Sequence, residues 1–262
     1  MDATQIVKLL KKQETELAAA MVACRVNAGQ KAVHVLRTSS RRMRALVEKM
    51  LEDHAQAGKG LHRKGRKLLR ELVKMGRAAG VVRDLDIHQR QLRRLRLGSS
   101  EEAIKEREAM VARLDALRVE EAAGLTKELE RREVKVATAV KAVLEEAQVL
   151  RGTSQTAMET AELWYGRAAV PERVKEMHDY RKRTRSARYL AEMPPESAGK
   201  KRLAGELKRM QTAVGEWHDW VTLLETAKAE LGKKAALVVA IRTRRDEALA
   251  AARRKVLRRE AA

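Results

Sequence analysis

Apolar residues recur every three or four positions along almost the whole chain, the spacing that one face of an α-helix requires. This periodicity predicts helices at about 2–26, 31–53, 63–79, 81–97 and 101–123, then a second set at about 126–150, 154–166, 171–193, 199–214, 216–231 and 233–258. The breaks have local causes. Asn27-Ala28-Gly29 supplies a helix stop and Gly58-Lys59-Gly60 a flexible turn; Gly98-Ser99-Ser100 ends one helix and caps the next, whose first residues, Glu101 and Glu102, suit the dipole. Pro171 fits the first turn of a helix, and Pro194-Pro195 must end that helix.

Set at about 100° per residue, positions 31–50 separate into two stripes. Leu36, Ser40, Met43, Val47 and Met50 fall together and can enter a core, while His34, Arg37, Arg41 and Arg44 share an adjoining stripe. The basic row therefore runs beside the core seam, at the edge of an interhelical groove. The same pattern returns later. Lys31, His34, Arg37, Arg41 and Arg44 are answered 144 residues on by Lys175, His178, Arg181, Arg185 and Arg188. A second block recurs at a spacing of 135: Arg66-Lys67-Leu68, Glu71-Leu72, Lys74-Met75, Gly80 and Asp84 match Lys201-Arg202-Leu203, Glu206-Leu207, Arg209-Met210, Gly215 and Asp219. The difference falls in the connecting loop between the blocks, where a duplicated helical unit tolerates a change of length. The expected organisation is two repeats, 1–125 and 126–262.

Composition sharpens this reading. The 262 residues hold 14 Gly, three Pro and 2% aromatics, too few turn formers for a many-stranded sandwich or barrel, and 44% apolar residues, too many for disorder. With 57 Lys and Arg against 36 Asp and Glu, the net charge is +21, and it divides into +11 and +10 between the two halves. A field of that sign attracts polyanions. The single cysteine, Cys24, excludes an internal disulfide and a multi-thiolate zinc site. The N-terminus lacks the basic and apolar regions of a signal peptide, and no apolar run approaches the length of a membrane span, so a cytoplasmic protein is expected.

Like charges one turn apart on a helix repel by a few tenths of a kcal/mol per pair. A row of three arginines and a histidine with no acid among them is expected where an anion supplies the compensation. Arginine grips phosphate oxygens with a planar fork, and histidine donates from both nitrogens once a phosphate raises its pKa. Further cations come from the next helix, at Arg63, Lys64, Arg66, Lys67, Arg70 and Lys74, matched by Lys200, Lys201, Arg202, Lys208 and Arg209. Asp84 and Asp219 read as orienters, each holding an arginine of the row by a bidentate pair, and Glu71 and Glu206 allow the same role. Asp84 and His88 are four apart, a weak metal pair without a counterpart at Leu223. Neither a G-x-x-x-x-G-K-[ST] loop nor an H-E-x-x-H motif is present, so no catalytic residue, metal or cofactor is expected.

The repeated H-x2-R-x3-R-x2-R row, with Gly80-Val81-Val82-Arg83-Asp84 and Gly215-Glu216-Trp217-His218-Asp219 following it, resembles the CHAD domain, the conserved histidine α-helical domain. The resemblance implies an all-α fold of two pseudo-symmetric helical bundles whose long antiparallel helices form a central basic groove. It also implies non-catalytic binding of inorganic polyphosphate there. The expected contacts are Lys31, His34, Arg37, Arg41, Arg42, Arg44, Lys67 and Lys74 from the first repeat, and Lys175, His178, Arg181, Lys182, Arg185, Arg188, Arg202 and Arg209 from the second. Association with polyphosphate granules in the cytoplasm would follow. Family members often carry a triphosphate-processing CYTH domain with an E-x-E-x-K signature; Glu128-Leu129-Glu130 is the nearest approach here, which implies a stand-alone module. The alternative partner is DNA or RNA held non-specifically by the same surface. The six aromatics sit mostly at core spacings and offer bases little to stack on.

Overall fold

The computed structural model describes residues 2–56, 58–151, 153–171, 173–193 and 198–257; the Pro194-Pro195 stop and the side chain of Lys200 lie outside them. All regular structure among the described residues is α-helical: α1 (Ala3–Val26), α2 (Gln30–Asp53), α3 (Lys59–Arg94), α4 (Glu101–Gln148), α5 (Ala157–Gly166), α6 (Val174–Ala191), α7 (Ala198–Leu231) and α8 (Ala236–Leu257).

Side chains and glycines set several of the ends. Asp2 caps α1 through the Gln5 amide at 2.8 Å while Gln5 returns the bond, and Thr156 with Glu159 forms the same reciprocal cap on α5. Gly98 and Gly232 take positive φ, 59° and 86°, after α3 and α7, a conformation that costs other residues a Cβ clash. Three expected breaks are absent: α3 runs through Gly80, α4 through Gly124 and α7 through Gly215. An interior glycine costs a helix only about 1 kcal/mol, which continued burial on either side outweighs. In α3 the buried series Leu68, Leu72, Met75, Ala79 and Val82 passes Gly80 without losing phase.

The chain forms two compact units, and their boundaries fall inside α3, α4, α6 and α7. Unit 1 comprises Met1–Arg83, Glu121–Arg167 and Arg185–Ala204; unit 2 comprises Asp84–Glu120, Ala168–Thr184 and Gly205–Ala262. Each unit draws on both of the segments, 1–125 and 126–262, in which the sequence recurs.

In unit 1, Leu10, Leu17 and Cys24 of α1 meet a core that also holds Leu36, Met43 and Met50 of α2 and Leu129 and Val143 of α4, all at most 2% exposed. A lysine is buried there as well. Lys49 is 1% exposed, ion-paired to Asp53, and donates to the Gln155 carbonyl at 2.6 Å, tying α2 to the segment before α5. In unit 2, Leu92, Leu114, Tyr180, Leu223 and Ile241 bring α3, α4, α6, α7 and α8 into one core. Asp86, fully buried, accepts from Arg118 Nε at 3.0 Å there.

Candidate functional site

α2 seats its row as the helical phase requires. Val33, Leu36, Met43, Val47 and Met50 are buried, and Ser40 donates to the Leu72 carbonyl of α3 at 3.3 Å. On the neighbouring face His34 is exposed and Arg37, Arg41 and Arg44 are half-buried. Gly80 explains how Arg37 is accommodated. A Cβ built on that glycine would stand 2.6 Å from Arg37 Nη1, so the guanidinium occupies space that only glycine leaves open.

Unit 1 gathers more cations at this point than α2 supplies. Though open to solvent on one side, the His34 imidazole is partly desolvated by its neighbours, which holds its pKa below the ordinary value, and the charges of Arg83, Arg41, Arg37 and Arg188 hold it lower still. Arg188 comes from the later row and Arg83 from α3, so two segments far apart in sequence act on one histidine. Arg83 was not among the expected binding residues. Its signal lay in the recurring block, where His218 stands 135 residues later in its place. In unit 2, His218 packs against the row histidine His178, with ring centroids 5.0 Å apart. Each row histidine thus feels the residue immediately before the recurring aspartate, His34 through the charge of Arg83 and His178 through the ring of His218.

The remaining expected residues divide. Arg44 meets Glu48 at 3.3 Å and Arg188 meets Glu192 at 3.2 Å, so the last arginine of each row has a carboxylate one turn on. Arg42 lies off the row, 3.2 Å from Glu192 and 3.8 Å from Glu16, and with Lys31 it lines an open cavity of about 730 Å³ between α1 and α2. Lys67 and Lys74 are exposed on α3, and Lys74 reaches Glu71 at 3.7 Å. Lys175, Lys182, Arg202 and Arg209 are exposed; Lys182 pairs with Asp179 at 2.8 Å and holds that carboxyl below its usual range. In unit 2, half-buried Arg181 is braced through its carbonyl, which accepts from Gln211 at 3.1 Å. Arg185 is half-buried in unit 1.

The acids behave differently from one another. Arg181 Nη2 and Asp219 form an ion pair at 4.0 Å, which sets Asp219 beside an arginine of the second row. Asp84 is exposed and its charge acts on His88. Glu71 holds Arg132 of α4 at 2.5 Å instead of an arginine of the row. His88 is 6% exposed, pairs with the Thr222 hydroxyl at 3.1 Å, and is kept below its ordinary pKa by burial, with Asp84 opposing. Among the described residues no three His, Cys, Asp or Glu side chains cluster to hold a metal, and no helix is long and apolar enough to cross a membrane.

Comparison with known folds agrees with the motifs. The chain is similar to the crystal structure of the CHAD domain from the plant Ricinus communis, with a TM-score of 0.71 and 16% identity over 98% of this chain and 93% of that one. It is also similar to PptA from Streptomyces chartreusis, with a TM-score of 0.69 and 16% identity over 98% and 99% of the two chains. Curated protein sequences give no match. The CHAD domain family model matches residues 9–228. With its paired histidine and arginine rows and its helical architecture, the chain belongs to the CHAD domain family.

Proposed function

We propose that this protein binds inorganic polyphosphate without catalysing its turnover, using the His34–Arg44 and His178–Arg188 rows. One observation carries the reading: unit 1 brings Arg83 of α3 and Arg188 of the second row within electrostatic reach of His34, beside Arg37 and Arg41 of the first row, with Arg37 seated over Gly80. Folding that concentrates cations in this way costs free energy in the empty protein, and a chain of phosphates returns it by placing negative oxygens among the forks. Family membership supports the same reading.

Affinity should arise from counterion release and from charge already held in position, so it should rise with chain length and fall with salt. The test is a competition titration of long polyphosphate, short polyphosphate and duplex DNA at near-physiological salt, using the wild type and an Arg41→Glu/Arg185→Glu variant. The expected result is preference for the long chain and loss of binding in the variant with helicity retained. Equal competition by DNA per phosphate, or unchanged affinity in the variant, would refute it.

A further inference from the structure

The outward face of α3 carries a second cationic surface that is separate from the rows. Lys59, Arg63, Arg66, Arg70, Lys74 and Arg77 are all exposed. At 100° per residue they fall within an arc of about 80°, opposite the buried Leu61, Leu68 and Met75. The arc runs about 27 Å along the helix and contains no acid. Glu71, the one acid between 59 and 77, lies off it against Arg132 at 2.5 Å and touches only its margin at Lys74, 3.7 Å away. Among the described residues, Lys59, Arg63, Arg66, Arg70 and Arg77 have no carboxylate partner.

Two features set this stripe apart from the proposed polyphosphate site. The first is orientation. α3 turns Gly65, Gly76 and Gly80 toward Leu51, Ser40 and Arg37 of α2, and the stripe is centred about 110° around the helix from those glycines, on a different face from the one packed on α2. The second is its absence from the sequence recurrence. Lys31 and all four row positions return as the same residue types 144 residues later. The six stripe positions return 135 residues later as Pro194, Ala198, Lys201, Gly205, Arg209 and Thr212, of which two are basic. A charge pattern required by the repeated site would have been kept in both copies.

We infer that this face binds the phosphate backbone of duplex nucleic acid without reading its sequence. The stripe is a straight ridge of long, flexible cations, about one per helical turn, able to reach phosphates on both strands bordering a groove. It has no aromatic residue on which an unpaired base could stack, which disfavours single strands, and no Asn or Gln to read base edges. It also lacks the apolar flank that would seat a helix in a lipid interface.

The experiment uses the full chain and a fluorescent 20-base-pair duplex, with anisotropy recorded across a salt series. The Arg63→Gln/Arg66→Gln/Arg70→Gln/Arg77→Gln variant, which spares Lys74 because it is also an expected polyphosphate contact, should bind the duplex roughly a hundredfold more weakly near 0.15 M salt. Its log K against log salt slope should flatten by about 3.6, at about 0.9 per lost contact. Its affinity for long polyphosphate should stay within about twofold of wild type. Arg41→Gln/Arg185→Gln should keep duplex binding, so failure of the polyphosphate reading shows separately. The two double variants, Arg63→Gln/Arg66→Gln and Arg70→Gln/Arg77→Gln, guard against loss of fold and should each flatten the slope by about 1.8. Unchanged duplex affinity and slope in folded stripe variants, an equal loss toward polyphosphate, or tighter capture by phosphatidylserine vesicles than by duplex would overturn the inference.

Discussion

Replacing Gly80 with alanine should move stability and binding in opposite directions. The new Cβ would stand 2.6 Å from Arg37 Nη1, about 1 Å inside ordinary contact, so the guanidinium must leave its position over α3. The backbone there is helical, and an interior Gly→Ala change gains about 0.5–1 kcal/mol of helix stability. For a chain of this size that corresponds to a rise in Tm of about 1–2 °C. Losing one charge-assisted contact costs about 1.5–3 kcal/mol, a roughly 10- to 150-fold weaker hold on polyphosphate. Gly215→Ala is the internal control, because nothing lies within 4 Å of its added Cβ. It should gain the same stability and bind as wild type. Thermal unfolding followed by circular dichroism, together with a polyphosphate titration on both variants, reads out the comparison. If Gly80→Ala binds as tightly as wild type, the position of Arg37 over Gly80 has no part in the site.

Polyphosphate should raise the depressed pKa of His34, so binding near pH 6.5 takes up protons and strengthens as pH falls; calorimetry in two buffers of different ionisation enthalpy measures the uptake, and His34→Gln should reduce it. In the unliganded protein His34, His54 and His88 all lie below the ordinary value of 6.5, so the unfolded chain binds protons first. Stability should therefore be full above about pH 6.5 and decline through the window beneath it, and Tm against pH would show no such decline if the sign is wrong. Arg118→Met leaves the fully buried Asp86 carboxylate without its cation and should cost about 3 kcal/mol in urea unfolding, a loss that Asp86→Asn in the same chain partly restores. Lys49→Met should cost about as much, because it strands Asp53 and removes the bond to Gln155.

Helical phase was enough to place α2, because one face must enter the core and the row falls beside it; Leu36 and Met43 are fully buried as that phase demands. The glycines misled for the opposite reason. Gly80 looks locally like a stop, yet the packing of Leu72, Met75 and Val82 outweighs its helical cost, and its reason lies in Arg37, a residue 43 positions earlier. Arg42 could not be separated from its neighbours by spacing, since the carboxylates that draw it away come from α1 and from the end of α6. Arg83 recurs as a histidine, so a search for repeated cations does not reach it. Their settings correspond only in three dimensions, where Arg83 acts by charge on His34 and His218 packs against His178. Compact units that cut across the recurring halves are likewise invisible to periodicity, which reports the face of a helix and not its neighbours.

Cys24 lies in the core of unit 1 with no exposed surface, and the sequence contains no second thiol. A disulfide reagent in solution therefore has one place to react, and reaches it only when α1 lifts from α2 and α4. Each modification event records one such opening, so the labelling rate measures local unfolding without any engineered reporter. Repeating the measurement with polyphosphate present would reveal whether ligand at the rows is felt through the back of the same helix bundle.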